Sequence, residues 1–186
     1  QTLVDRGFHP LAYRLLCLQA HYRSELEFSW EGLLAAYVRL KRMVAAIEKI
    51  PHATTNSVPD DALRWIDDAV STDLNTASLL PPFELAIQTK QASPEEKWAT
   101  IDRADFILGL GLRTLTRQDL RIRPKAATIT EPEIEAILTQ RKLARAAKDF
   151  ATSDRIRDEL LAMGIQLKDG KDPVTGEPVT TWEVKR

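Results

Sequence analysis

The chain has 186 residues, 44% hydrophobic and 28% charged, with a formal net charge of −1. This is the composition of a soluble globular protein, and it carries no overall basic field that would advertise nucleic acid, although a net charge averages over faces and leaves a local basic patch open. The single cysteine, Cys17, excludes an internal disulfide; no Cys/His cluster has metal-ligand spacing, no apolar run approaches the roughly 20 residues of a membrane span, and no signal peptide is visible, which makes the cytoplasm the default location.

The sequence opens at Gln1 and is quickly apolar, which hints at a piece of a longer protein. Residues 8–22 read as a helix, with Pro10 in the first turn, where its missing N–H costs nothing. Leucines on both sides of Cys17 point to a buried structural thiol. Residues 30–50 form a clearer helix with Ser29 as N-cap. Leu33, Tyr37, Leu40, Val44 and Ile47 recur at spacings of four and three, the pattern of a bundle seam. After a polar loop over 51–60 comes a helix of about three turns with Leu63, Ile66 and Val70 inward. Asp73 or Asn75 can cap the next one, which Pro81 and Pro82 should break or kink. Ser93-Pro94-Glu95-Glu96 is a capping box with proline at the first helical position. The helix it opens carries Trp98, Ile101 and Leu108 inward and stops near Gly109 or Gly111.

Residues 112–130 differ: Arg113, Arg117, Arg121, Arg123 and Lys125 face only Asp119, and no period is sustained. The stretch reads as a basic linker, either a solvated tether or a contact for the phosphates of a polyanion. Thr130 and Glu133 then make a second capping-box candidate. Counting 100° per residue from Ile134, Leu138 lies at about 40°, Arg141 at about 340° and Arg145 at about 20°. The stripe starts apolar and turns basic, so Arg145 either simply favours the helix C-terminus or points from it toward a ligand. Asp149 can cap a second helix with Ile156, Leu160 and Met163 on one face and Asp154, Arg157 and Asp158 roughly opposite. Gly164 fits a left-handed helix stop. Residues 165–168 alternate like a strand, Asp169-Gly170 signals a turn, and 179–184 alternate again around Trp182, which reads as a core anchor.

The expected fold is therefore mainly α: an antiparallel helical bundle followed by a small C-terminal α+β unit of two short helices and a β-hairpin. The expected segments are 1–24, an entry to the bundle; 25–111, the bundle; 112–130, the linker; and 131–186, the small unit.

Certain residues carry a resemblance beyond this pattern. The segment QRKLARAAKDFATSDRIRDELLAMGIQLKDG, followed by TTWE, resembles the anticodon-binding region of cysteinyl-tRNA synthetases. GFHPLAYRLLCLQAHYRSELEFS resembles the segment that follows that family's KMSKS loop, and DLNTA resembles its DFNTP-type turn. The resemblance is weak over 77–128, and the proline pair at 81–82 departs from the family pattern. It implies that Arg145, Asp154, Arg157 and Asp169 contact a GCA anticodon and that Phe150 stacks on one of its bases, at a position where the family usually carries tryptophan. Its HIGH and KMSKS motifs and zinc ligands are not in this sequence. The resemblance thus implies a tRNA-binding part of a cysteine–tRNA ligase, probed by cysteine tRNA and joined in cis to a catalytic domain. ATP and zinc belong to that domain, no cofactor belongs to this chain, and the chain alone is expected to be inactive, monomeric and free of membranes.

The residue chemistry suits such a role. Sequence-specific RNA readers engage splayed bases by stacking and by hydrogen bonds to their edges. A carboxylate such as Asp154 can accept from the N1–H and N2–H of guanine, Arg145 can donate to its O6, and Asp169 suits the cytosine amino group. The alternative is a non-catalytic helical module that binds RNA or protein without anticodon preference. A ligase for a small-molecule acceptor is disfavoured, since it would need no reader over 133–170.

Overall fold

The computed structural model describes residues 2–54, 57–122, 129–171 and 178–184. Arg123, Pro124 and Lys125 of the expected linker, and residues 172–177 of the expected hairpin connection, lie outside the described residues. In order, the elements are α1 (Thr2–Asp5), α2 (Pro10–Leu18), α3 (Trp30–Ile47), α4 (Asp60–Ser71), α5 (Thr76–Gln88), α6 (Pro94–Leu108), α7 (Glu131–Ala146), α8 (Phe150–Ala162), β1 (Ile165–Lys171) and β2 (Pro178–Val184). The fold is mainly helical with one small antiparallel sheet, as expected. Two compact units divide the chain: His9–Leu120, and Gln1–Phe8 together with Arg121–Arg186.

The helical unit is built on α3. Ser29 caps it by accepting from the Gly32 N–H at 3.0 Å. All five seam residues, Leu33, Tyr37, Leu40, Val44 and Ile47, are buried. In α2, which is shorter than the expected 8–22, Ala12, Leu15 and Leu16 are buried. Cys17 is exposed, contrary to the expected buried thiol. It follows Leu16 by about 100° around the helix, which carries it off the packed arc. In α4 the inward face is Ala62, Ile66 and Ala69, while Val70 is exposed. Two stripes run through Ile66 at helical spacing, and the helix turns its small alanines to its neighbours.

The proline pair does not break its helix. Asn75 caps α5, accepting from the Ser78 N–H at 3.3 Å, and the helix continues through Pro81 and Pro82 to Gln88. An interior proline costs about 3 kcal/mol. Against that, Leu79, Leu80, Phe83 and Ile87 are all buried, and each such side chain contributes about 1.5–3 kcal/mol. In α6 the capping box is complete, with Ser93 N–H to Glu96 Oε2 at 2.7 Å and Glu96 N–H to Ser93 Oγ at 3.2 Å. Trp98, Ile101 and Leu108 are buried, and Gly109 ends the helix at φ 60°.

Residues 112–120 are not a solvated tether. Leu110, Leu112 and Leu120 are buried. The Asp105 carboxylate accepts from the N–H groups of Leu110 and Leu112, each at 2.8 Å. The Tyr37 hydroxyl donates to the Leu120 carbonyl at 3.0 Å. Arg113 pairs with Asp102 of α6 and Arg117 with Glu48 at the end of α3, so two of the expected basic groups are answered by acids from earlier in the chain.

In the second unit, the Glu133 carboxylate accepts from the N–H and the hydroxyl of Thr130, both at 2.7 Å, and opens α7. The core is Ile129, Ile134, Ile156, Leu160, Ile165 and Trp182, with Ile137, Leu138, Leu167 and Val184 against it. Trp182 is the expected anchor: its indole N–H donates to Glu135 at 3.2 Å, and the Arg121 guanidinium sits 4.9 Å from its ring centre. Met163 is exposed rather than inward, and buried Ser153 extends the Ile156–Leu160 face instead. Gly164 takes φ 81° and feeds buried Ile165 into β1. The register runs from Ile165 opposite Val184 to Lys171 opposite Pro178. Asp169 and Gly170 therefore do not form the expected turn: they continue the strand, opposite Thr180 and Val179. Asp169 is held there by side-chain bonds that a local turn signal cannot register.

Candidate functional site

The site forms where α7 hands over to α8. The Asp149 N–H donates to the Ala144 carbonyl at 2.9 Å and the Lys148 N–H to the Arg145 carbonyl at 3.0 Å. This is a Schellman ending, which favours glycine at the left-handed position. Here that position is Lys148, at φ 58°. Asp149 then caps α8, its Oδ1 accepting from the Thr152 N–H at 3.0 Å. The hydrogen bonds to Thr152 hold the Asp149 carboxyl below its ordinary pKa. With no residue to spare in this corner, Phe150 becomes the first residue of α8 and is 62% exposed.

The α7 stripe does turn basic, but its two arginines part company. Arg141 is buried, with 5% of its side chain exposed, whereas Arg145 is 45% exposed. Both hold the same carboxylate. Arg141 grips Asp169 with both Nη atoms, at 2.8 and 2.9 Å, and Arg145 Nη1 lies 3.0 Å from Asp169 Oδ2. Thr180, opposite Asp169 on β2, donates to Asp169 Oδ1 at 2.7 Å and lies 3.1 Å from Arg141 Nη1. The Arg141 hydrogen bonds, with lesser help from Thr180 and Arg145, hold the Asp169 carboxyl well below the usual carboxylate range against the opposing effect of burial. The same bonds raise the pKa of Arg141, and the charge of Asp154 adds to that rise.

The polar face of α8 supplies the rest. Arg157 Nη1 lies 3.3 Å from Asp154 Oδ1, and its Nε lies 3.4 Å from Asp158 Oδ1. All three side chains are at least half exposed. The five residues expected from the sequence thus fall into Arg145 joined to Asp169, Asp154 joined to Arg157, and Phe150 at the corner between the helices that carry them. Arg141 and Thr180 join these residues in the structure. Arg141 had a signal: at about 340° it lies within the core-facing arc, where a charge must find a partner. Thr180 had none.

The arrangement offers an exposed aromatic face, outward guanidinium donors and outward carboxylate acceptors on one small unit. Among the described residues, no group of three or more His, Cys, Asp and Glu side chains could hold a metal ion. No described helix is long and apolar enough to cross a membrane.

Residues 130–175 match the family model of the cysteinyl-tRNA ligase anticodon binding domain. The match covers both helices of the site, all five expected residues and Arg141. Over its whole length the chain is similar to part of cysteine–tRNA ligases. It is 52% identical over 183 residues to the cysteine–tRNA ligase of Novosphingobium aromaticivorans, covering 95% of this chain and 37% of that protein. It is 39% identical over 218 residues to that of Zymomonas mobilis, covering 97% and 42%. With cysteine–tRNA ligase 1 of Burkholderia lata it shares 40% over 169 residues, covering 91% and 34%. The chain therefore spans well under half the length of these relatives. The match at 130–175 falls on the small α+β unit that carries the site.

Proposed function

We propose that this chain is the tRNA-binding part of a cysteine–tRNA ligase, and that its small unit reads the GCA anticodon of cysteine tRNA. The observation that carries the reading is the overlap of the family match at 130–175 with the exposed Phe150, Arg145, Asp154 and Arg157. Phe150 supplies a stacking face for one unpaired base; such a contact contributes about 1–3 kcal/mol. Asp154 and Arg157 present adjacent acceptors and donors, suited to the edge of guanine. Arg145 donates to a second base, and Asp169 enters through its hold on Arg145. A good bidentate contact discriminates between bases by about 1–3 kcal/mol, so a few of them give specificity without a strongly basic protein.

In this reading, attachment of cysteine, with its need for ATP and zinc, takes place in a catalytic domain joined in cis. The protein acts in the cytoplasm, and this chain by itself forms no cysteinyl-tRNA. The test is a gel-shift series with anticodon stem-loops carrying GCA or single substitutions. Preference for GCA, lost in Asp154→Ala, supports the reading. Equal binding of every loop overturns it and favours a general RNA-binding module.

A further inference from the structure

We infer that Arg141 is a positioning residue of this site: its buried guanidinium fixes Asp169, and Asp169 in turn fixes the outward Arg145. The inference rests on the anticodon reading only for its ligand; the positioning itself is a property of the unit.

A carboxylate has about four lone-pair directions. Asp169 Oδ1 accepts from Arg141 and Thr180, Oδ2 accepts from Arg141, and Arg145 Nη1 forms an ion pair with Oδ2 at 3.0 Å. Three of those directions are thus taken within the unit, so Asp169 spends most of its acceptor capacity on Arg141 and Thr180 before any base arrives. Two guanidiniums on one carboxylate also leave the cluster one net positive charge, and that charge is carried at the surface by Arg145. Arg145 meets Asp169 through Nη1, and a guanidinium has five N–H donors in a rigid fork. Holding one edge against Asp169 orients the other donors before any ligand arrives, which reduces the ordering cost of binding.

Stability alone is a poor reason for Arg141. A buried ion pair is often no more stable than a well-packed apolar replacement. The position continues the Ile134–Leu138 stripe, where leucine or methionine would extend the core. Arg141 Nε is also buried with no hydrogen-bond partner, so the site tolerates an orphaned donor in order to keep a guanidinium. Lysine would keep the charge but lose the fork that spans both carboxylate oxygens.

The test uses this chain as wild type, Arg141→Lys, Arg141→Met, Arg145→Ala, and Arg141→Met with Arg145→Ala. The first readout needs no RNA: nitrogen-15 relaxation at Arg145 Nε. Positioning predicts a clear loss of order at Arg145 in both Arg141 variants, with the amide spectrum of the core around Trp182 retained. An Arg145 as ordered as in wild type in Arg141→Lys overturns the inference, and that milder variant decides should Arg141→Met fail to fold. The second readout is the affinity for the GCA stem-loop. Arg145→Ala should weaken binding about tenfold or more, Arg141→Met by a similar factor, and the double variant no further than either, because both act through one contact. Independent, multiplying losses overturn the inference. If wild type binds all loops alike, the anticodon reading fails, and the relaxation result still decides whether Arg141 positions Arg145.

Discussion

Asp169 and Arg145 meet across two elements, Oδ2 to Nη1 at 3.0 Å, on a carboxylate that Arg141 already holds from the buried side. The consequence is a pH dependence with a definite sign. The folded-state pKa of Asp169 lies below its ordinary value, so the ionised form stabilises the fold. That stabilisation is complete above the unfolded pKa of about 3.9 and is lost as pH falls toward the lower folded value. The urea midpoint of the small unit, followed by NMR of the hairpin amides, should fall as the pH drops below about 5. In Asp169→Asn it should be lower at neutral pH and flatter in the acid range. Some slope remains, because Asp149 is shifted in the same direction. An unchanged slope would show that Asp169 does not couple to the fold.

The corner at Lys148 stores strain. A side chain at φ 58° costs free energy that glycine avoids, and glycine is the usual occupant of the left-handed position in this helix ending. Lys148→Gly should stabilise the unit by about 0.5–1 kcal/mol, read as a higher urea midpoint at unchanged slope. If the lysine contributes to RNA binding, the same variant will bind the stem-loop less tightly despite being more stable. Lys148→Val should destabilise, since a β-branched side chain fits this region poorly.

Much of the architecture was legible because it is written in local spacing. The α3 seam from Leu33 to Ile47 follows the helical period, Ser93 and Glu96 close a box three residues apart, and Gly164 stops a helix where only its backbone freedom suits. The misreadings share another cause. Asp105 satisfies the amides of Leu110 and Leu112, Glu48 pairs with Arg117, and Arg141 reaches Asp169 across 28 residues. Such partners come from tertiary structure, so residues 112–120 looked like a linker and Asp169-Gly170 like a turn. The candidate site residues came from resemblance to a family, and the pairing of Arg141 with Asp169 was not legible.

The proline pair inside α5 offers a check on how packing overrides local preference. Pro81 is exposed, and its ring blocks the bond that an N–H at this position would make to the Ala77 carbonyl. Pro81→Ala should restore that bond and relieve the clash, partly offset by a more flexible unfolded chain. A net gain of about 1 kcal/mol is expected, seen as a higher melting temperature of the helical unit with its helical circular dichroism retained. A loss of stability would mean that the pyrrolidine ring itself packs better than the helix geometry requires.

Phe150 separates binding from folding most cleanly. It is 62% exposed at the first position of α8 and contributes nothing to the buried core, so Phe150→Ala should leave the unfolding free energy within about 0.5 kcal/mol of wild type. If its ring stacks on an unpaired base, the same change should weaken stem-loop binding by about 1–3 kcal/mol. Phe150→Trp should at least hold the affinity, because a larger ring offers more stacking area. Fluorescence of that added tryptophan should change on addition of the loop. Unchanged affinity in Phe150→Ala would remove the aromatic from the site and leave recognition to Arg145, Asp154 and Arg157.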